Sequence, residues 1–335
     1  MSGPTADTVP VRDYDVALLD LDGVVYVGPE VVGHADEAIA RAADAGMRFG
    51  FVTNNASRTP AEVARHLCEL GVPAGPDDVV TSSQAGAHLL ANRLKPGAAV
   101  LAVGGPGLDA ALREFALRPV RSLDDGPVAV LQGFGRDVQW SHLADASIAV
   151  RGGAYWVATN LDATLPVPGG RAPGNGMLVA AVAEAAGRRP DAVAGKPHEP
   201  LMRESIERLD AQRPIVVGDR LDTDIDGANR MGLPSLLVLT GVTDVPTVLA
   251  APVAQRPTYI SVDLRGLLDA YPPIDNDSDR RWRVRSSEAW VEGDEVCVRL
   301  GTGPSAWIDA LRCACAAAWE RPGAGIGPAV RTLLG

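Results

Sequence analysis

Short apolar runs alternate with helix-period segments along most of the 335-residue chain, and glycine or polar residues mark each change. This pattern predicts a mostly parallel sheet joined by crossover helices. Val16–Leu19 (VALL) is the first strand. His34–Ala45 repeats apolar positions at helical spacing and stops at Gly46. Phe49–Val52 is the next strand and runs into TNNASRTP; Pro60–Leu70 is a second helix, stopped by Gly71. From about Gln84 to Arg189 the texture changes: AAVLAVGG, VAVLQGF and YWVATN are separate strands with helices between them. This segment predicts a second α/β module inserted into the first. The strand-ending motifs then resume with Gly195-Lys196-Pro197, PIVVGDRLDTD (Pro214–Asp224) and PSLLVLTG (Pro234–Gly241).

After YPPIDNDSD (Tyr271–Asp279), whose prolines and acids suggest a linker, the pattern changes again. WRVRSSEAWVEGDEVCVRL alternates like a hairpin around EGDE, and Ser305–Trp319 places Ile308, Leu311, Cys315 and Ala318 on one helical face. A ββα piece of this size buries too little for a core of its own, so it is expected to pack on the main body or on another subunit. The expected boundaries are 11–83 and 190–270 for a divided core, 84–189 for the insertion, 271–280 for the linker and 281–335 for the extension.

Composition narrows the function. A hydrophobic fraction of 46% over this length is enough for two domains or for one domain with a large insertion. The formal charge is −11 with no basic stretch, which argues against nucleic acid and against anionic membranes as partners. No apolar run is long enough to span a bilayer, and MSGPTADTVPVRDYD has neither the basic start nor the apolar centre of a signal peptide. Cys68, Cys297, Cys313 and Cys315 are too few and too scattered for a disulfide framework or a cysteine metal site. A cytoplasmic protein with reduced thiols is expected.

The candidate chemistry lies at strand ends. Val16–Leu19 leads into Asp20-Leu21-Asp22-Gly23, two carboxylates at the edge of a parallel sheet where ligands bind in such folds. One can attack phosphorus; the other can serve as general acid and then general base. Alone, this stretch reads equally well as a polar turn. Thr53-Asn54-Asn55 offers a hydroxyl, an amide and exposed main-chain N–H groups to a phosphate oxygen, although an N-cap is the simpler reading of that tripeptide. Lys196 is one of only two lysines, with Lys95, in a chain that otherwise uses arginine, which suggests a position needing a compact point charge. Asp219, Asp222 and Asp224 follow another apolar strand and can supply oxygen ligands to Mg²⁺; a helix-capping role suits Asp222.

In this order the four motifs resemble the haloacid-dehalogenase superfamily of phosphohydrolases, over about Asp13 to Leu268. VATNLD, PGNGMLV and GDRLDTDI are similar to the subgroup with a large α/β cap between the Thr-Asn-Asn and Gly-Lys-Pro motifs, which includes phosphoglycolate and 4-nitrophenyl phosphate phosphatases. The resemblance implies an α/β fold: a Rossmann-like parallel-sheet core, the insertion as cap, and an additional C-terminal ββα extension. It implies Asp20 as nucleophile and Asp22 as acid/base. Thr53, Asn54, Asn55 and Lys196 would hold the phosphate. Mg²⁺ would sit on Asp20, the Asp22 main-chain carbonyl and Asp219, with Asp224 ordering its waters or Lys196. Asn160 and Asp162, in the cap, are candidates for reading the leaving group, and a simple turn is the alternative there. The short polar loops TNLDATLP and PGNGM suit a small polyol phosphate, glycerol 3-phosphate before phosphoglycolate. The extension is similar to a fragment of an acetyltransferase domain but lacks an acetyl-CoA pyrophosphate loop, so no transferase activity is expected. A phospho-accepting signalling module shares the acids, the threonine and the lysine, but calls for neither Asp22 nor an insertion. The pattern leaves open whether the protein is a monomer or a homo-oligomer.

Overall fold

The computed structural model describes residues 7–167, 169–277, 280–323, 325–327 and 330. Residues 1–6 of the stretch read for a leader, Ser278 and Asp279 of the expected linker, and 331–335 of the extension lie outside them. The chain forms two compact units, Met1–Phe49 with Ala211–Gly335, and Gly50–Asp210.

The first unit holds parallel strands in the order Tyr259–Ser261, Ser235–Val238, Pro214–Gly218, Val16–Leu19. Every residue of Val16–Leu19 is buried, so the strand is covered on both faces and reads as an unbroken apolar run rather than an alternation. The helix expected at His34–Ala45 spans Ala35–Asp44 and buries Ala35, Ala38, Ile39 and Ala42, the i, i+3, i+4, i+7 stripe of an amphipathic helix. Gly46 follows at φ +98°, a left-handed conformation that glycine adopts without a Cβ clash.

The C-terminal hairpin pairs Ser287–Glu292 with Glu295–Arg299 and turns at Gly293-Asp294, as the EGDE alternation predicts. Asp275–Asn276, Trp282–Val284 and Gly325–Ile326 complete that sheet. The helix Ala306–Glu320 packs on it. The extension does not stand alone. Val284, Ala289, Leu311 and Cys315 share one apolar cluster with Leu221, Ile225, Leu237, Val248 and Ile260 of the parallel-sheet region. Trp319 Nε1 also donates to the Val248 carbonyl at 3.0 Å. Packing on the main body therefore supplies the burial that the ββα piece lacks.

In the second unit, Phe51–Thr53 of the strand Arg48–Thr53 pairs in parallel with Val79–Thr81. A five-stranded parallel sheet runs Ala192–Val193, Tyr155–Ala158, Ala129–Gln132, Ala99–Val103, Arg118–Val120. Trp156, fully buried, anchors one of its faces with Val130, Val150 and Val182. Among the described residues no helix is long and apolar enough to cross a membrane.

Candidate active site

In the first unit, the parallel register sets Leu19 opposite Val217. Asp20, whose N–H donates to the Val217 carbonyl at 2.9 Å, and Asp219 therefore emerge at the same edge of the sheet. Asp224 joins them from the helical turn Leu221–Ile225. Asp20, Asp219 and Asp224 each offer a carboxylate oxygen, all within 4.8 Å of one another. Asp219 and Asp224 are buried at 1% and 0% exposure, where like charges repel strongly unless a cation is shared. An all-oxygen donor set of this kind fits a hard divalent ion such as Mg²⁺. Asp222 does not join: it is exposed on the same turn and pairs with Arg220 at 2.8 Å. Burial alone would raise its carboxyl, but the guanidinium of Arg220 holds it below the ordinary carboxylate range.

Asp22 is exposed on a compact turn in which the Leu21 carbonyl accepts from the N–H groups of Val24, Val25 and Tyr26. An exposed carboxylate there can exchange protons with a bound ester or with water. Gly23 adopts φ +88°, and a Cβ at this position would lie 2.6 Å from Asp219 Oδ2. The glycine is thus required twice, by conformation and by the approach of the acid.

Sequence reasoning missed what holds Asp219. The loop after Ser235–Val238 donates Val242 N–H to Asp219 Oδ2 at 2.6 Å and Thr243 N–H to the Asp219 carbonyl at 3.1 Å. Thr240 Oγ1 donates to the Gly23 carbonyl at 2.6 Å. The only sequence signal was a Thr-Gly pair just past a strand.

In the second unit, the strand carries Thr53 to its end, buried at 3% exposure. Thr53 Oγ1 accepts from Asn55 N–H at 3.0 Å, and Asn55 Oδ1 accepts from Ser57 N–H at 2.9 Å. Asn54 is the hub. Its Oδ1 accepts from Lys196 N–H at 2.8 Å, and its Nδ2 donates to the Lys196 carbonyl at 3.1 Å and to Asp162 Oδ2 at 3.2 Å. Its own carbonyl accepts from Asn160 Nδ2 at 2.8 Å and Ser82 Oγ at 2.7 Å. Lys196, 4% exposed and followed by a cis Lys196–Pro197 bond, donates from Nζ to the Val52 carbonyl at 3.2 Å. Asn160 Oδ1 accepts from Asp162 N–H at 3.1 Å, and Asn175 Nδ2 donates to the Asn160 carbonyl at 2.8 Å. A Cβ at Gly195 would lie 2.5 Å from Asn54 Oδ1, so only glycine admits this clamp. The structure thus gathers Asn54, Asn160, Asp162 and Lys196 into one network within this unit; Ser82 and Asn175 belong to it and were not foreseen.

Carboxylates converging at the strand ends of a parallel sheet, and a desolvated lysine held at a loop, are the equipment of phosphate-ester hydrolysis, and the chain is an enzyme of that class, a phosphatase. Comparison with known proteins gives the family. Haloacid dehalogenase-like hydrolases match residues 17–118, and a second HAD-hydrolase-like family matches residues 193–267. The chain belongs to the haloacid dehalogenase-like hydrolases. It is 51% identical over 256 residues to D-glycerol 3-phosphate phosphatase of Mycobacterium tuberculosis, covering 76% of this chain and 71% of that protein. It is 35% identical over 256 residues to acid sugar phosphatase of Staphylococcus aureus, covering 76% and 96%. A crystal structure of glycerol phosphate phosphatase from Mycobacterium tuberculosis in complex with magnesium superposes with a TM-score of 0.85 at 44% identity, covering 94% of this chain and 93% of that one.

Proposed function

We propose that the protein is a Mg²⁺-dependent phosphomonoesterase that releases glycerol and phosphate from glycerol 3-phosphate through an aspartyl-phosphate intermediate. The observation that carries this reading is the convergence of half-buried Asp20 with buried Asp219 and Asp224 in one acidic cluster. It is supported by the relatives that act on glycerol phosphate and by the short polar loops of the insertion.

Asp20 and Asp219 would hold the ion with the Asp22 carbonyl, and Asp224 would hold it or its waters. Bound Mg²⁺ neutralises charge on the phosphoryl group and lowers its repulsion of an anionic nucleophile. Asp20 attacks phosphorus in line and forms a P–O bond as the ester P–O bond breaks. Asp22 gives its proton to the departing alkoxide, so glycerol leaves neutral. Asp22 then takes a proton from water, whose oxygen attacks the phosphorus of the aspartyl-phosphate. Inorganic phosphate leaves and Asp20 is regenerated.

Thr53, Lys196 and the main-chain N–H groups of the Asn54–Asn55 loop hold the phosphate oxygens in this reading. The Asn54 side chain acts one step back, by fixing the main chain of Lys196. Residues 84–189 act as the cap, with Asp162 reading the leaving group and Asn160 holding the Asp162 loop in place.

The test is kcat/KM for glycerol 3-phosphate, phosphoglycolate and 4-nitrophenyl phosphate with Mg²⁺ added to metal-stripped enzyme. The highest value should fall on glycerol 3-phosphate. A higher value for phosphoglycolate would reassign the substrate, and no metal dependence would remove the mechanism. Transfer of phosphate to an added alcohol in place of water would make the enzyme a phosphotransferase.

A further inference from the structure

We propose a second metal site, for a first-row divalent ion such as Zn²⁺ or Mn²⁺, on His88, Glu204 and Glu207 in the second unit. It is separate in residues and in donor chemistry from the all-carboxylate cluster of the first unit. The helices Ser82–Ala91 and Glu199–Arg208 supply it. One ligand atom from each of the three side chains lies within 4.8 Å of the others, and they border a cavity of about 140 Å³. That volume accommodates an ion and several waters, at roughly 30 Å³ per water.

The sequence builds the site by spacing. Glu204 and Glu207 are three residues apart on one helix, so both project to the same side. His88 comes from the neighbouring helix, and its ring stacks on Phe115 with centroids 5.0 Å apart and planes at 16°, which fixes the plane of the imidazole. The stacking limits rotation of the ring and so fixes where its nitrogens point.

The charges argue for a cation. Glu204 is buried; its Oε2 meets His88 Nδ1, and its Oε1 takes two bonds from Arg208, at 2.8 Å and 3.2 Å. Glu204 is therefore oriented on both oxygens. Glu207 has no hydrogen bond or ion pair to its carboxylate among the described residues. Arg203, four residues before it and lining the same cavity, pairs with Glu199 at 2.9 Å instead. A second carboxylate thus lies beside Glu204 with no cation paired to it among the described residues. A divalent ion resolves this: it takes the place of the proton that His88 shares with Glu204 and adds Glu207 as a ligand. One nitrogen and two carboxylate oxygens suit a borderline ion, whereas Mg²⁺ favours oxygen alone. The bound ion would clamp the two helices, one of which begins three residues after Lys196, and would stabilise the fold without entering the reaction.

The experiment measures Zn²⁺ uptake and melting temperature on the full chain in saturating Mg²⁺, for wild type, Glu207→Gln and His88→Ala. Wild type should bind one more equivalent at micromolar Zn²⁺ than either variant. Its Tm should rise by roughly 5 °C at saturation, with no rise in the variants. Mg²⁺-supported phosphatase activity should be the same in wild type and Glu207→Gln. Glu207 is exposed and makes no ion pair among the described residues, so that variant keeps the fold even if His88→Ala does not. Equal uptake and equal thermal shifts in wild type and Glu207→Gln overturn the proposal, as does the absence of an additional Zn²⁺ equivalent in wild type.

Discussion

The Asn54 side chain grips both main-chain polar groups of Lys196, accepting from its N–H at 2.8 Å and donating to its carbonyl at 3.1 Å. Residues 142 apart in sequence are joined as if by a strand pair one residue long. The Lys196 ammonium is meanwhile tied to the Val52 carbonyl, two residues before Asn54. Lysine and loop are thus one rigid piece.

Asn54→Ala removes both bonds to Lys196 and the one to Asp162. With the two neutral bonds to Lys196 worth about 0.5–1.5 kcal/mol each, kcat/KM should fall by about 10- to 100-fold. Product inhibition by phosphate should weaken in parallel, while the Mg²⁺ requirement stays as in wild type. Asn54→Asp keeps the acceptor but turns a carboxylate oxygen onto Asp162 Oδ2 and the Lys196 carbonyl, and should lose at least as much as Asn54→Ala. An unchanged phosphate inhibition constant in Asn54→Ala would limit the asparagine to holding the fold.

Asp20→Asn should lose turnover by many orders of magnitude in kcat, because an amide is no nucleophile toward phosphorus. Asp22→Asn should act on proton transfer alone. It should depress glycerol 3-phosphate, with its poor alkoxide leaving group, more than 4-nitrophenyl phosphate, whose phenolate needs little protonation. Equal losses on both substrates would give Asp22 a structural or metal-binding role.

Asp219→Ala should raise the Mg²⁺ concentration needed for half-maximal activity, and exhaustive chelation should abolish the activity of wild type. Gly23→Ala should mimic it in part. The left-handed backbone at φ +88° costs about 1–2 kcal/mol for a residue with a Cβ, and that Cβ would push on Asp219 Oδ2. A Mg²⁺ titration of the three proteins checks the order wild type, Gly23→Ala, Asp219→Ala.

Asp162→Ala should change the ratio of kcat/KM between glycerol 3-phosphate and phosphoglycolate and leave metal dependence alone. Asn160→Ala should do the same through the displaced Asp162 loop, since Asn160 is 4% exposed and its amide is bonded to Asn54 and Asp162. Proportional loss on every substrate would move the specificity claim to other cap positions.

Cys68, Cys313 and Cys315 should separate by reactivity. Burial pushes the Cys313 thiol up to about 12 and raises Cys315 as well, while Cys68 is exposed. At pH 8 a thiol reagent should modify Cys68 readily, and Cys313 and Cys315 only after denaturation. A raised thiol in the folded state contributes stability below the ordinary thiol range. That contribution is lost as pH climbs through that range toward about 12, because the unfolded chain releases protons first. Denaturant melts between pH 8 and 11 should therefore show falling stability.

Much of this protein is determined by the sequence alone, because the signals are local. An apolar run ending in Asp20-Leu21-Asp22-Gly23 specifies a buried strand and the acids beyond it. Glycines at 46 and 71 stop helices whose apolar stripes are already legible. The EGDE alternation specifies the C-terminal hairpin. Tertiary structure decided what depends on distant segments and on the direction of each side chain. The sequence offered three acids after one strand, with a capping role suited to Asp222; the helical turn at Leu221–Ile225 is what sends Asp224 inward and Asp222 out to Arg220. Thr-Asn-Asn read as a phosphate loop; only the fold turns the Asn54 side chain onto Lys196 and Asp162. The extension could have covered another subunit, and its cluster with Leu221 and Val248 settles on the chain's own core. His88 and Glu204 lie 116 residues apart, and no periodicity within one helix encodes which neighbouring helix it will face.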